Sequence, residues 1–180
     1  MALRADARRN RDRLLAAAAA VVAEQGAGAS LEEVARRAGV GSATLHRHFA
    51  SRQALLEAVF AGHVDALCAR GAELLDEPQP GAALIEWLHA VLRHAAEHRG
   101  LAAALLAGGP DPAAGAQFHR RIHAAGTELL LRAQRAGQVR AGVRAGELLQ
   151  LVNAISLAAG SDPDAAARLL DLALAGVHPG

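Results

Sequence analysis

The chain has 180 residues, of which 52% are apolar, and its nineteen basic residues, all arginine, face eighteen acidic ones, for a net charge of +1. The apolar content is sufficient for a folded core. Because basic and acidic residues are nearly equal in number, the composition excludes a protein that binds nucleic acid through positive charge over its whole surface. A single cysteine, Cys68, excludes an intramolecular disulfide.

The N-terminal region is not typical of a targeting or membrane segment. After the charged residues 1–13, an apolar run of about ten residues is interrupted by Glu24 and Gly26, and such a run is too short to cross a bilayer. We therefore expect a cytoplasmic protein with no membrane partner.

Alanine and leucine dominate the sequence, and both favour helices. Runs rich in β-branched residues are few, so we expect no strands. Clusters of glycine and proline divide the chain into nine expected helices, at about 7–25, 31–38, 42–48, 52–75, 82–98, 101–107, 113–136, 144–159 and 163–176. The prediction is an all-α fold.

The second expected helix has clear signals at both ends. Ser30 and Glu33 have the spacing of a capping box, in which the serine caps the helix and the glutamate reaches back to the serine N–H. Gly39 supplies the left-handed residue that commonly ends a helix. Between them runs one apolar stripe, Leu31, Val34, Ala35 and Ala38.

The third expected helix follows at once. Val40 is expected to be buried in the turn, Ser42 starts the helix, and Leu45 and Phe49 point inward. Two short helices joined by a glycine-marked turn form a helix-turn-helix, whose second helix enters the major groove of DNA.

The segments GVGSATLHRHF and SRQALL closely resemble the DNA-binding end of the tetracycline-repressor (TetR) family of bacterial transcription regulators. The family pattern is roughly G-V-x-x-x-T-L-Y-x-H-F followed by S-K-x-x-L. The resemblance implies a DNA-binding head at residues 1–50 and a larger helical body for ligand binding and dimerisation at residues 51–180. This chain departs from the pattern with His46 in place of tyrosine and Arg52 in place of lysine.

The charge distribution agrees with a DNA-binding head. Residues 1–52 contain nine arginines and five acidic residues, a net charge of +4, which leaves −3 for the remainder. A basic head on an acidic body is typical of a DNA-binding protein with a separate sensing part.

A helical wheel with Leu45 inward turns Ala43 and Arg47 toward the DNA groove, with Thr44 and His46 on the flanks. Arg47 either pairs with a guanine edge or contacts phosphate only. By resemblance, Thr44, His46, His48 and Arg52 hold the sugar-phosphate backbone, and Ser30 contacts phosphate besides capping its helix. The arginines at 8, 9, 11 and 13 either reach phosphates or the minor groove, or form a charged tail. The candidate DNA-binding residues are Ser30, Gly41, Ser42, Ala43, Thr44, His46, Arg47, His48 and Arg52.

The last two expected helices are apolar on more than one face, which indicates that a partner covers one of them. The family resemblance implies a homodimer in which these helices from two subunits form a four-helix interface, and such a dimer suits a palindromic operator in double-stranded DNA. The candidate interface residues are Leu148, Val152, Ile155, Leu169 and Leu172.

The middle helices are expected to enclose a site for a small hydrophobic effector of unknown identity, the alternative for most of its candidates being ordinary core packing. These candidates are Val64, Leu67, Cys68, Trp87, Leu88, Val91, His94, His98, Phe118, Ile122 and Leu129.

Two histidine pairs, His94 with His98 and His119 with His123, have the i, i+4 spacing that can chelate a metal from one helix face. Neither a cysteine nor a carboxylate cluster accompanies them, so a polar handle for an organic ligand is the preferred interpretation. We expect no metal site and no cofactor.

Three functions compete. The preferred one is a ligand-responsive transcription regulator, usually a repressor in this family, that leaves its operator when the effector binds. The alternative is a DNA-binding architectural or partner-regulated protein without a small ligand. An enzyme is disfavoured, because the sequence has no nucleophile–base pair, phosphate loop or convincing metal set.

Overall fold

The computed structural model describes residues 2–99, 101–102 and 112–176. Within these residues the secondary structure consists of eight α-helices and one 3₁₀ turn, Gly26–Gly28, without strands, which confirms the all-α prediction. The helices are α1 Ala2–Gln25, α2 Leu31–Ala38, α3 Ser42–His48, α4 Arg52–Leu74, α5 Pro80–Glu97, α6 Pro112–Arg135, α7 Ala145–Ala159 and α8 Pro163–Ala175.

The first and the sixth expected helices differ most from the expectation. Helix α1 begins at Ala2 rather than at about residue 7, so the N-terminal arginines lie on a helix. Of the short helix expected at 101–107, Leu101 and Ala102 are helical and the rest lies outside the described residues.

The chain forms two compact units. The first, the head unit, draws on residues 1–62 and 98–115, and the second, the body unit, draws on 63–97 and 116–180. Residues 52–62 of α4 thus belong to the head unit and residues 63–74 to the body unit, whereas the sequence suggested a single division after residue 50.

The head unit is built on apolar side chains of α1 to α4. Helix α2 packs against both α1 and α3. The buried side chains that hold these helices together include Leu14, Val21, Val34, Leu45 and Phe49. Burying an aliphatic or aromatic side chain contributes about 1.5–3 kcal/mol, so these contacts are the main support of the short helices α2 and α3.

The body unit has its own core around Trp87 of α5. Helix α5 packs against α7 and α8, which also pack against each other. Leu88 of α5, Val152 of α7 and Leu170 of α8 meet in this core. At the start of α8 the Asp162 side chain accepts the N–H of Ala165 at 2.9 Å, so Asp162 is the N-cap of this helix.

In the part of the chain that the structure describes, no helix combines the length and apolar character that a membrane crossing needs.

Candidate nucleic-acid interface

Helix α2 has the ends that its sequence predicts. The Ser30 hydroxyl accepts the N–H of Glu33 at 3.1 Å, and Gly39 adopts the left-handed conformation with φ 65°. The N–H of Val40 then donates to the carbonyl of Ala35 at 3.1 Å, which closes the helix. Val40 itself is half-buried and packs against the head core, rather than fully buried as expected.

One part of the expected capping box is wrong. The Glu33 carboxylate accepts from Arg36 at 2.7 and 2.8 Å and from Arg37 Nε at 2.9 Å, rather than from the Ser30 N–H. Charged donors make stronger bonds to a carboxylate than a neutral amide does, so the arginines prevail. Hydrogen bonds from Arg36 and then Arg37 lower the pKa of Glu33 to about 2.

Arg37 also joins α2 to α1. Its Nη1 donates to Glu24 Oε1 at 2.6 Å, and this hydrogen bond lowers the pKa of Glu24. Arg36 and Arg37 of the basic head are therefore compensated by carboxylates of the head itself.

One side of helix α3 is buried in the head core, and the opposite side is exposed. Leu45 and Phe49 are only 1% and 4% exposed in the head core. Ala43, His46 and Arg47 are exposed on the opposite side. The orientation agrees with the helical wheel, and the result is an outward face of α3 with a rigid apolar anchor.

The remaining α3 candidates lie around this outward face. Thr44 and His48 are half-buried, while Gly41 and Ser42 are exposed at the start of the helix. The Gly41 carbonyl accepts the N–H of Thr44 at 2.9 Å, so Gly41 is the N-cap residue. The candidate residues of α3 thus form one contiguous surface.

Arg47 lies along its own helix. Its Nη2 donates to the Thr44 hydroxyl at 3.0 Å, and its Nε donates to the Ala43 carbonyl at 3.3 Å. To reach a base edge, the guanidinium must exchange these two bonds for bonds to DNA.

Arg52 has a structural contact that sequence reasoning missed. Its Nε donates to the carbonyl of Ala29 at 2.9 Å, which connects the start of α4 to the residue before the Ser30 cap. The two residues are 23 positions apart, so no local spacing signals this bond. Arg52 is half-buried, and it is bonded to the residue that precedes Ser30, one of the predicted phosphate contacts.

The N-terminal arginines make contacts within the head unit. The guanidinium of Arg11 lies 5.1 Å from the centre of the Phe49 ring, a cation–π contact that links α1 to the end of α3. Arg9 pairs with Asp6, and Arg13 donates to Asn10.

Two family models match the chain. The model for bacterial regulatory proteins of the tetR family matches residues 14–59, and the model for the C-terminal domain of SbtR-like transcriptional regulators matches residues 79–179. The structure of the TetR transcriptional regulator SCO0520 from Streptomyces coelicolor is similar, with 39% identity, coverage of 94% of this chain and 98% of that one, and a TM-score of 0.78. The TetR transcription regulatory protein from Mycobacterium vanbaalenii has 36% identity, coverage of 98% and 99%, and a TM-score of 0.80. None of the curated protein sequences matches the chain.

The chain belongs to the TetR family. It is therefore a transcription regulator with a DNA-binding domain, not an enzyme. The family-model match at residues 14–59 covers α2, α3 and the start of α4, the elements that carry the outward face of α3.

In this TetR-family chain, the core of the body unit contains several candidates for effector binding. Val64, Leu67, Leu88, Val91 and Leu129 are buried by packing within the unit. Cys68, His94, Phe118 and Ile122 are half-buried in the same unit, and His98 is half-buried among the residues of the head unit.

Trp87 is enclosed. Its side chain is fully buried, and its indole N–H donates to the Leu67 carbonyl at 3.1 Å. A Cβ atom added at Gly126 would lie 2.8 Å from the ring, and one added at Gly71 would lie 3.0 Å from the indole nitrogen. The indole therefore depends on two glycines for its place, and a ligand beside this part of the ring would have to displace it.

The structure gives His94 a different neighbour from the one that the spacing suggests. The rings of His63 and His94 lie edge to face with centroids 6.2 Å apart, and burial lowers the pKa of His63. Burial likewise raises the pKa of the Cys68 thiol. Within the described residues, no group of three or more His, Cys, Asp or Glu side chains is placed to hold a metal ion.

The five candidates for the dimer interface separate into two groups. Leu148, Val152 and Ile155 are buried in the core of their own body unit, which leaves them almost no surface for a partner. Leu169 and Leu172 are 42% and 74% exposed on α8, and Leu157 of α7, which the sequence interpretation did not include, is 63% exposed.

Proposed function

We propose that this TetR-family regulator is a homodimeric repressor that binds a palindromic operator and leaves it when a small-molecule effector binds to the body. The observation that carries the DNA-binding part is the outward face of α3, where Ala43, His46 and Arg47 are exposed above the buried Leu45 and Phe49. A recognition helix needs this combination of a rigid anchor and an open face.

The residues on and around α3 divide into two roles. Arg47 reads a guanine edge in the major groove through its two terminal nitrogens. Ser30, Gly41, Ser42, Thr44, His46, His48 and Arg52 contact the backbone or line the approach of the helix to it. Backbone contacts fix the position of α3 on the duplex but do not choose the sequence.

The exposed leucines of α7 and α8 support the homodimer. Large apolar side chains that are 42–74% exposed, as Leu157, Leu169 and Leu172 are, lose contact with water if a second copy covers them. A two-fold dimer presents two α3 helices, which fit two half-sites about one helical turn apart, roughly 34–36 Å.

Repression and its release require two states of the dimer with different affinity for the operator. An effector that prefers the weakly binding state shifts the population toward it, and operator DNA must weaken effector binding by the same factor. Since the chromosome of a bacterium lies in its cytoplasm, we place the protein there.

The test is operator selection from random duplex DNA, followed by fluorescence anisotropy with the selected sequence and with a scrambled one. Specific binding is expected to be about 10³-fold or more tighter than binding to the scrambled duplex. A reporter gene behind the selected operator separates repression from activation. Equal affinity for both duplexes would reject sequence-specific regulation.

The enclosure of Trp87 favours a second candidate function, a DNA-binding architectural or partner-regulated protein without a small ligand. If the indole region stays closed, no effector enters there, and operator affinity should be insensitive to a library of small metabolites. Release of the operator by any of them would exclude this candidate.

A further inference from the structure

The body unit has a groove between α6 and the start of α7, which we name the α6–α7 groove. Its volume is 590 Å³. Sites for small organic molecules usually have about 300–1,000 Å³, so the groove has the appropriate size. One wall includes His123, Thr127, Leu130 and Leu131 of α6, and the other includes Val143 and Gly146.

The second wall is held in shape by one side chain. The amide nitrogen of Gln134 lies 3.0, 3.3 and 2.9 Å from the carbonyl oxygens of Arg140, Ala141 and Val143. The loop before α7 is thereby tied to α6, and a site with fixed walls loses less entropy when a ligand binds.

The polar end of the groove is the imidazole of His123. The Thr127 hydroxyl donates its only hydrogen to the His123 carbonyl at 2.8 Å, so its oxygen faces Nδ1 as an acceptor at 3.4 Å. This arrangement places the proton of a neutral ring on Nδ1 and leaves the lone pair of Nε2 for a ligand.

Gly146 keeps the space next to Nε2 open. A Cβ atom added at Gly146 would lie 3.4 Å from His123 Nε2. A longer side chain at this position would therefore occupy the volume in front of the imidazole edge.

The carboxylate at the groove is already compensated. Glu147 Oε1 accepts from Arg144 Nη2 at 2.6 Å and Nε at 3.0 Å, and Oε2 accepts from the backbone N–H of Arg144 at 3.0 Å. These bonds from Arg144 lower the pKa of Glu147. Because Glu147 is paired with Arg144, it is not free to pair with a cationic ligand. It also presents no unpaired negative charge that would repel an acidic ligand.

We propose that the α6–α7 groove binds an apolar organic acid, whose hydrocarbon part lies on Leu130, Leu131 and Val143 and whose acid group shares its proton with His123 Nε2. This inference rests on the proposed function, because it assigns the effector to a site and a chemical class. It places the effector away from Trp87, whose ring edges are occupied by Gly71 and Gly126.

Isothermal titration calorimetry with 2-naphthoate tests the chemistry, with 2-naphthylmethylammonium as the cation on the same ring system. We expect naphthoate to bind at least about tenfold more tightly than the ammonium compound, the size of one charge-assisted hydrogen bond. His123→Gln should lose about tenfold in naphthoate affinity. His89→Gln, on α5 and outside the lining of the groove, is the control for loss of an imidazole and should bind as the unchanged protein does.

The shared proton has a signature that packing alone does not produce. The complex with naphthoate takes up a proton relative to the free anion and the neutral imidazole. Calorimetry in buffers of different ionisation enthalpy should therefore show proton uptake when naphthoate binds, and this uptake should vanish in His123→Gln.

The location is tested by filling the groove. Gly146→Leu should abolish naphthoate binding, while Gly142→Leu, in the loop before α7 and with open space around it, should retain it. Thermal melts establish that both variants fold. Sedimentation of Gly146→Leu adds a further check, since a change in its oligomeric state would identify the groove as a subunit contact and overturn the ligand assignment.

Failure of this inference is distinguishable from failure of the proposed function. No measurable binding of naphthoate at about 1 mM, or equal binding to Gly146→Leu, overturns the groove site. If another compound still releases the protein from its selected operator, the regulator function stands with its effector elsewhere. If no operator can be selected, the proposed function fails irrespective of the calorimetry.

Discussion

Replacing Gly126 by alanine tests how tightly the body core encloses Trp87. The new methyl group would lie 2.8 Å from Cζ3 and 3.0 Å from Cη2 of the indole, closer than carbon atoms pack, so the ring or the helix must move. Overpacking of a core typically costs about 1–3 kcal/mol. Alanine is also a better helix former than glycine by about 0.8–1 kcal/mol, which offsets part of that loss.

A matched control separates the two contributions. Gly62 lies within α4 and has no neighbour within 4 Å of an added Cβ, so Gly62→Ala gains helix propensity without a clash. We expect Gly62→Ala to raise the free energy of unfolding by about 0.5–1 kcal/mol. The free energy of unfolding of Gly126→Ala should be lower than that of Gly62→Ala by the cost of overpacking, about 1–3 kcal/mol.

Urea unfolding at one fixed protein concentration measures both variants, with far-ultraviolet circular dichroism for the whole chain and Trp87 fluorescence for the body. The double variant Gly126→Ala with Trp87→Phe completes a mutant cycle, because phenylalanine has neither of the two ring atoms that clash. The penalty of Gly126→Ala should shrink in that background. Equal stabilisation by Gly126→Ala and Gly62→Ala would refute the argument that the indole is confined.

Three further predictions concern DNA, the dimer and acid. Arg47→Ala should relax sequence preference at one base pair of each half-site, a loss of about 1–3 kcal/mol in binding, and an unchanged selected operator would reject the base contact. Leu172→Glu should give monomers in analytical ultracentrifugation, whereas Arg93→Glu, exposed on α5, should not; a wild-type monomer at micromolar concentration would contradict the interface. Because the pKa of Glu33 is lowered from 4.5 to about 2, its contribution to stability is complete above pH 4.5 and is lost as the pH falls toward 2. In Glu33→Gln the free energy of unfolding should fall less steeply between pH 4.5 and 2 than in the unchanged protein. An equal fall in both proteins would show that the bonds from Arg36 and Arg37 to Glu33 do not persist in solution.

Local signals of the sequence determined the helix ends. Ser30 and Gly39 were predicted as the end residues of α2 from neighbours within four positions, and the structure has them in these roles. Capping bonds form between residues three or four apart, so both partners lie within one short segment of the sequence. The same reason explains why the anchor of α3, Leu45 and Phe49, could be predicted: a short amphipathic helix has one apolar side.

The structure alone decided which of two apolar stripes faces inward. On α7 and α8 the sequence has apolar residues on more than one face, and packing against α5 selects Leu148, Val152 and Leu170 for the core. Leu157 and Leu172 are left outside for the same reason. Periodicity identifies the faces of a helix but not the neighbour that each face meets.

Contacts between distant residues were likewise a matter of tertiary structure. The bond from Arg52 to the Ala29 carbonyl, the proximity of His63 to His94 and the enclosure of Trp87 by two glycines join residues from 16 to 39 positions apart. No spacing rule connects such residues, because their separation in space depends on how whole helices pack. The sequence by itself therefore determined the helices, their ends and the DNA-reading motif, while helix packing decided which side chains remain free to meet an effector or a second subunit.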